Sequence, residues 1–221
     1  MALASLARIF RSRPKQVLAP QEAYELWAEN YPPWAHNPLM EAEQSVVAPI
    51  LRAAKPRRAL DIGTGTGRGL AVLEAAGARV AVGVDLSLAM LRRRGVESPC
   101  VCADALRLPF GDGVFDAIAS SLMVGDIADL RAWVGEAARV LARGGTLVYS
   151  DFHPSWAARG WERTFRSPSG ELMALAFHPH SIEQHLALLE EASLTVRAIR
   201  EPRTATLDAP VVAVFHATKA R

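Results

Sequence analysis

The run Ala59-Leu60-Asp61-Ile62-Gly63-Thr64-Gly65-Thr66-Gly67 constrains the fold of this chain more than any other segment. Arg58–Ile62 reads as a short buried strand, and the glycines after it as a tight turn opening a helix over Gly67–Ala76, closed by Gly77. A strand feeding a glycine-rich turn at a helix start belongs to an open α/β sheet, where such turns sit at the carboxyl ends of the strands and bind ligands. Glycine is needed there because a Cβ would block a ligand lying against the backbone. The spacing is G-x-G-x-G and departs from the G-x-G-x-x-G of dinucleotide binding. Counted from Gly63 the last position is Arg68, and counted from Gly65 it is Leu70. Asp61, two residues before the first glycine, would repel a pyrophosphate but suits a ligand carrying an ammonium and a sulfonium.

The rest of the chain repeats the alternation. Helical spacing runs through Glu22–Trp27 and Pro38–Ala54. Strand Arg79–Asp85 leads to helix Leu86–Arg94, closed by Gly95; strands Pro99–Ala103 and Phe115–Ser120 follow. Helix Leu130–Leu141 meets a glycine stop at Arg143-Gly144-Gly145, and strand Thr146–Asp151 comes next. The stretch 152–179 holds aromatics, prolines and glycines without clean periodicity. Helix Ser181–Ala192 opens with a capping box, Ser181 as N-cap and Gln184 three residues on. Two last strands, Leu194–Glu201 and Pro210–Thr218, are joined by a link too short for a crossover helix, so they should be antiparallel.

Composition limits the rest. With 221 residues, 50% of them hydrophobic, the chain suits one α/β domain, and a net charge of +2 demands no nucleic-acid or acidic-membrane partner. The cluster Arg92-Arg93-Arg94 reads as a solvated helix end. Cys100 and Cys102 are too close for an unstrained disulfide and lack companions for a zinc site, so buried reduced thiols in a cytoplasmic protein and no metal are expected. No apolar run approaches the ~20 residues that span a bilayer. Residues 1–20 form a basic leader with Arg8, Arg11, Arg13 and Lys15 and no acid, in which Leu3, Leu6 and Phe10 share a helical face. A transit peptide or surface helix would look like this, and so would the plain leader preferred here.

The motifs together resemble class I S-adenosylmethionine (SAM)-dependent methyltransferases, in the small-molecule branch near the quinone-biosynthesis and malonyl-carrier-protein enzymes. Asp61-Ile-Gly63-Thr64-Gly65-Thr-Gly67 is similar to their first motif. Val82-Gly83-Val84-Asp85 ends the second strand with the acid that, in the family, accepts both ribose hydroxyls; Leu86, Ser87 and Met90 follow it. Asp104, with Ala105, matches the acid at the adenine amino group. The run from Leu108 to Asp116 and the run from Arg139 to Gly145 resemble two further motifs, with Ala142-Arg143 where Lys-Pro is usual. The resemblance covers roughly residues 20–220. It implies a Rossmann-like seven-stranded α/β sheet with an antiparallel terminal hairpin and an N-terminal helical lid, a methyltransferase domain over 21–221, and SAM as cofactor. Each acid alone has a plain alternative: Asp85 as a helix cap, Asp104 as a loop acid.

Tyr24, Trp27 and Tyr31 resemble an aromatic lid that closes over the sulfonium, although i, i+3, i+7 spacing also describes a packing stripe. Pro32-Pro33 follow where the family often has Asp. Candidate bases are His153 after the fifth strand, then His36, His178, His180 and Asp126; His153 is the expected one, from its place at the rim and its neutral-range pKa. Segment 152–180 is the expected acceptor-recognition element, with Trp156, Trp161, Phe165, Met173 and Phe177 as apolar wall and Arg159, Arg163 and Arg166 for an anionic group. The expected acceptor is a small molecule or carrier-bound acyl group, methylated on oxygen by a slight preference. Ser120-Ser121-Leu122-Met123 argues against adenine or glutamine N-methylation, and no basic domain points to nucleic acid. A non-catalytic SAM-binding regulator and an NAD(P)-dependent oxidoreductase remain as alternatives.

Overall fold

The computed structural model describes residues 16–205 and 207–221, so Leu3, Leu6 and Phe10 and most of the basic leader lie outside the described residues. The strands are β1 Val17–Leu18, β2 Arg58–Ile62, β3 Val80–Asp85, β4 Cys100–Cys102, β5 Phe115–Ser121, β6 Leu141–Phe152, β7 Arg163–Arg166, β8 Leu172–Leu175, β9 Leu194–Arg200, β10 Arg203–Thr204, β11 Leu207–Pro210 and β12 Val212–Lys219. The helices are α1 Pro20–Trp27, α2 Pro38–Ala54, α3 Arg68–Ala75, α4 Leu88–Arg92, α5 Leu130–Val140, α6 Ser155–Ala158 and α7 Ile182–Glu191.

Seven strands form one sheet in the order β4-β3-β2-β5-β6-β12-β9. All neighbours are parallel except β12, which runs antiparallel to both β6 and β9. The alternation of strands and helices thus yields the expected Rossmann-like sheet with an antiparallel end. From β2 the chain winds outward to β3 and β4, then returns to the other side of β2 with β5 and β6. That reversal leaves a crevice at the carboxyl ends of β2 and β5, the place where open α/β sheets hold ligands.

Side-chain alternation along β2 divides the core. Leu60 and Ile62 face a cluster with Ile118, Trp133, Tyr149 and Phe215, covered by α5 and α7. Ala59 faces the opposite cluster with Val47, Leu51, Leu70 and Leu73, covered by α2 and α3. Helices on both faces explain why the central strands read as apolar runs rather than alternating ones.

A third, smaller cluster was not legible in the sequence. Leu18, Ala23, Phe165, Met173 and Leu175 pack together with Tyr24 and Trp27 against them. Here β1, β8 and β7 make a separate three-stranded sheet, in which β1 runs parallel to β8. The aperiodic stretch after β6 is therefore ordered by pairing with a strand 157 residues upstream (Val17 with Ala174). Residues 16–20, assigned to the leader from sequence, belong to this unit.

Three expectations need correction. α5 ends at Val140, and Leu141 already pairs with Phe115; Gly144, at φ +76°, sits in an outward bulge before Thr146 resumes pairing with Ala117. The glycines serve a strand bulge rather than a helix stop. α4 starts at Leu88 because the Ser87 hydroxyl accepts the Met90 N–H (3.2 Å) and caps it there. Cys102 is exposed and Cys100 only half-buried, since β4 is a three-residue edge strand; both are free thiols. No helix among the described residues is long and apolar enough to cross a membrane.

The capping box is present in full: Gln184 N–H donates to the Ser181 hydroxyl (3.2 Å) and Ser181 N–H to the Gln184 side chain (2.7 Å). Ser181→Ala should therefore lower unfolding stability by about 1 kcal/mol in urea titration with the far-ultraviolet spectrum unchanged. No change would mean that α7 is held by packing alone.

Candidate functional site

The crevice holds two adjoining cavities. The first, about 160 Å³, lies over the glycine turn. Gly63 and Thr64 N–H groups both donate to the Val84 carbonyl (2.8 and 2.9 Å), which ties the turn to β3. Gly65 N–H donates to one oxygen of Asp85 (2.7 Å) and Ser87 N–H to the other (2.8 Å), so the Asp85 carboxylate is held at two points beside the cavity. The turn needs positive φ at Gly63 (+72°), Gly65 (+54°) and Gly67 (+95°).

The glycines differ in what they make room for. A Cβ on Gly65 would meet nothing within 4 Å, so its face is open to the cavity. At Gly63 a Cβ would overlap Met123, and at Gly67 it would press on Val96 (2.8 Å). Gly67 caps the start of α3 and lies off the cavity wall, which corrects its expected place in the site. Gly69, which the sequence reading passed over, matters more: a Cβ there would overlap the Asp61 carboxylate.

Asp61 is 1% exposed, and its Oδ2 makes no hydrogen bond, nor does the neighbouring Thr64 hydroxyl. Burial pushes the Asp61 carboxyl up to about 7, with Thr64 and Arg68 acting in the opposite direction. Burial also raises Asp85, against the pull of the Ser87 and Gly65 amides. Leu86, Met90, Asp104 and Ala105 complete that wall; Asp104 accepts the Leu106 N–H (2.9 Å) as a turn acid would.

The second cavity, about 190 Å³, lies beyond a partition formed by Tyr24, Tyr31 and Leu122, which line both. Phe152, Trp156 and Met40 give it apolar walls. Three residues from distant parts of the chain interlock at the partition. Arg163 is ion-paired with Asp126 and donates to the Tyr24 hydroxyl (2.7 Å), while Tyr24 donates to Asp126 (3.0 Å). Burial raises the Asp126 carboxyl, opposed by Arg163. Burial works against the Arg163 charge, but Asp126 more than offsets it, and burial drives the Tyr24 phenol well above its ordinary value. The guanidinium also lies 4.5 Å over the Phe152 ring.

The aromatic segment divides between cavity wall and small core. Tyr24 and Tyr31 face the cavities, and Trp27 is a packing residue stacked on Phe165 at 5.1 Å while also touching the second cavity.

His153 is on neither cavity wall. Its Nδ1 lies 2.8 Å from the Ser155 hydroxyl and its Nε2 2.8 Å from Glu201, so both ring nitrogens are engaged away from the crevice. The expected base is thus misplaced: β6 runs on to Phe152 and pairs with β12, turning the next residue outward. His178 lies near that outer rim and is exposed, His180 contacts the Ile127 carbonyl (2.8 Å), and His36 packs edge-on against Tyr31. Of the expected apolar wall, Trp156 reaches the second cavity, whereas Phe165 and Met173 belong to the small core. Asp126 was among the sequence candidates, but its partners were not, because no spacing rule joins positions 24, 126 and 163.

Residues 60–149 match a methyltransferase domain family. The demethylmenaquinone methyltransferase of Thermus thermophilus is 45% identical over 108 residues, covering 45% of this chain and 49% of that protein. That of Corynebacterium urealyticum is 41% identical over 96 residues, covering 43% and 41%. The chain thus aligns with about half the length of the curated relatives it matches. Among solved structures, an S-adenosylmethionine-dependent methyltransferase from Mesorhizobium loti superposes with a TM-score of 0.62 at 21% identity, covering 76% of this chain and 95% of that one. The [4+2]-cyclase SpnF superposes with 0.65 at 18% identity, covering 93% and 99%. At such identities these likenesses show the fold.

The buried acid gives a pH test. Asp61 binds its proton more tightly folded than unfolded, so the folded state loses stability as pH rises from about 4 through 7. Urea titrations at pH 5 and pH 8 should show a smaller decline for Asp61→Asn than for wild type. Equal declines would mean that the carboxyl is not perturbed.

Proposed function

We propose, for a chain whose residues 60–149 match a methyltransferase domain family, the transfer of a methyl group from SAM to a small-molecule acceptor. The observation that carries this reading is the buried Asp61 carboxylate, one oxygen of which makes no hydrogen bond, lining a cavity whose wall also holds Asp85 ready to accept. A ligand with an ammonium and a ribose answers both acids. A dinucleotide would bring its pyrophosphate toward Asp61 instead.

In this reading Asp61 receives the ammonium, Asp85 the two ribose hydroxyls, and Asp104 with Ala105 the adenine edge. Gly63, Thr64 and Gly65 supply the close backbone surface, and Leu86 and Met90 pack against the nucleoside. Tyr24 and Tyr31 close over the sulfonium as the face of an N-terminal lid. Residues 21–221 are the methyltransferase domain, and 152–180 supply the acceptor side through Phe152, Trp156 and Arg163.

The cofactor brings a methyl on an excellent leaving group, so the chain's task is alignment and exclusion of water. The second cavity suits a flat apolar molecule better than a carrier-bound chain, since aromatic faces wall it. An acceptor that must lose a proton would meet Asp126 at the partition, with Arg163 beside it to hold the negative oxygen that results. Asp126 therefore takes the role expected of His153, and the slight preference for oxygen, which rested on that histidine, goes with it. The relatives' names point to demethylmenaquinone, and the hydroxyl proton that its reduced form can lose makes that form the first acceptor to test.

Calorimetric titration with S-adenosylhomocysteine, beside NADH, is the deciding experiment. Wild type should bind the former, and Asp85→Ala should weaken it by roughly 100-fold or more through two lost hydrogen bonds to a charged group. No binding, or tighter binding of NADH, overturns the reading. With labelled SAM and reduced demethylmenaquinone, Asp126→Asn should lower kcat about 100-fold. Unchanged turnover would remove Asp126 from the mechanism, and a protein that binds the cofactor but methylates nothing would be a SAM-binding regulator.

A further inference from the structure

We infer that Arg68, positioned by the buried Glu43, forms a subsite for the carboxylate of the cofactor's amino-acid end; this rests on the SAM reading above. The charges around the first cavity carry the argument. Asp61, Asp85, Asp104 and Asp126 line it, and Arg68 is the cation among the described residues on its wall. A ligand with an α-amino-acid end brings a carboxylate as well as an ammonium. Among four acids that carboxylate is repelled everywhere except at the guanidinium.

The backbone offers little alternative. The N–H groups of Gly63, Thr64, Gly65 and Gly67 already donate within the protein, to Val84, Asp85 and Thr64. Arg68 has capacity left. One terminal nitrogen donates to Glu43 (2.7 Å) and more weakly to Gln44 (3.5 Å), while Nε and the other terminal nitrogen make no hydrogen bond among the described residues. A planar guanidinium with donors to spare matches a carboxylate in a way that a lysine would not.

Glu43 holds this group in place. It is fully buried on α2, and its second oxygen accepts the hydroxyls of Ser121 at the end of β5 (2.7 Å) and Ser150 on β6 (2.9 Å). Three elements thus fix the orientation of one carboxylate, and that carboxylate fixes one edge of the guanidinium. A buried ion pair adds little stability over an apolar pair of the same size. A pin for α2 alone would not need Arg68 to reach the cavity wall that it shares with Asp61, one oxygen of which makes no hydrogen bond. Glu43 is a positioning residue, and Arg68 touches the ligand.

The test compares S-adenosylhomocysteine with S-adenosyl-3-thiopropylamine, which keeps the ammonium and lacks the carboxylate, by calorimetric titration of the full chain. Wild type should prefer the carboxylate form by about 10- to 100-fold. Arg68→Met should abolish that preference while binding the decarboxylated compound within about threefold of wild type. Glu43→Gln should shrink the preference without abolishing it. If Arg68→Met does not fold, as judged by its thermal melt, Arg68→Lys carries the comparison and should keep only part of the preference. Wild type without preference overturns the carboxylate subsite, as does a folded Arg68 variant that keeps the full preference or loses both ligands equally. Wild type that binds neither compound overturns the SAM reading itself, and this inference with it.

Discussion

Burying the Asp61 carboxylate at the end of β2 is the constraint around which the site is arranged. An acid that deep either finds compensation or stays protonated, and here burial brings its pKa to about 7. The surrounding choices follow from that cost. Gly69 has no Cβ because the carboxylate occupies its place, Arg68 lies near enough to oppose the shift, and Glu43 holds Arg68. The acid keeps one oxygen without a hydrogen bond, so the compensation within the protein is incomplete.

A second buried charge group has a different character. Asp126, Arg163 and Tyr24 satisfy one another and stand between two cavities. They tie the N-terminal helix and the small sheet, which pack on each other, to the turn after β5. A closed polar triad at a partition lets three buried polar groups compensate one another between two cavities, one of them an apolar chamber. The same chamber explains why fold likeness alone does not name a reaction. A cyclase shares this architecture, and the difference must lie in what the walls present.

His153 shows how reading a position along a strand can mislead. Its place after the fifth strand pointed to the rim, but β6 extends one residue further and β12 pairs with it from Thr146 through Phe152. That pairing sends His153 to Ser155 and Glu201. The glycine pair after α5 misled in a similar way: Gly144 permits a bulge in β6, and the helix had already stopped where Leu141 found Phe115.

By itself the sequence determined whatever depends on neighbours along the chain. The strand-turn-helix from Arg58, the acid at the end of β3, the Ser181 capping box and the antiparallel final strands are set by local geometry and short connections, and they were legible. The tertiary structure decided what depends on distant segments meeting. Tyr24 reaches Asp126 across 102 positions, Arg163 reaches Tyr24 across 139, and Glu43 reaches Ser150 across 107. No periodicity encodes such meetings, because each exists only once the sheet order has brought the elements together.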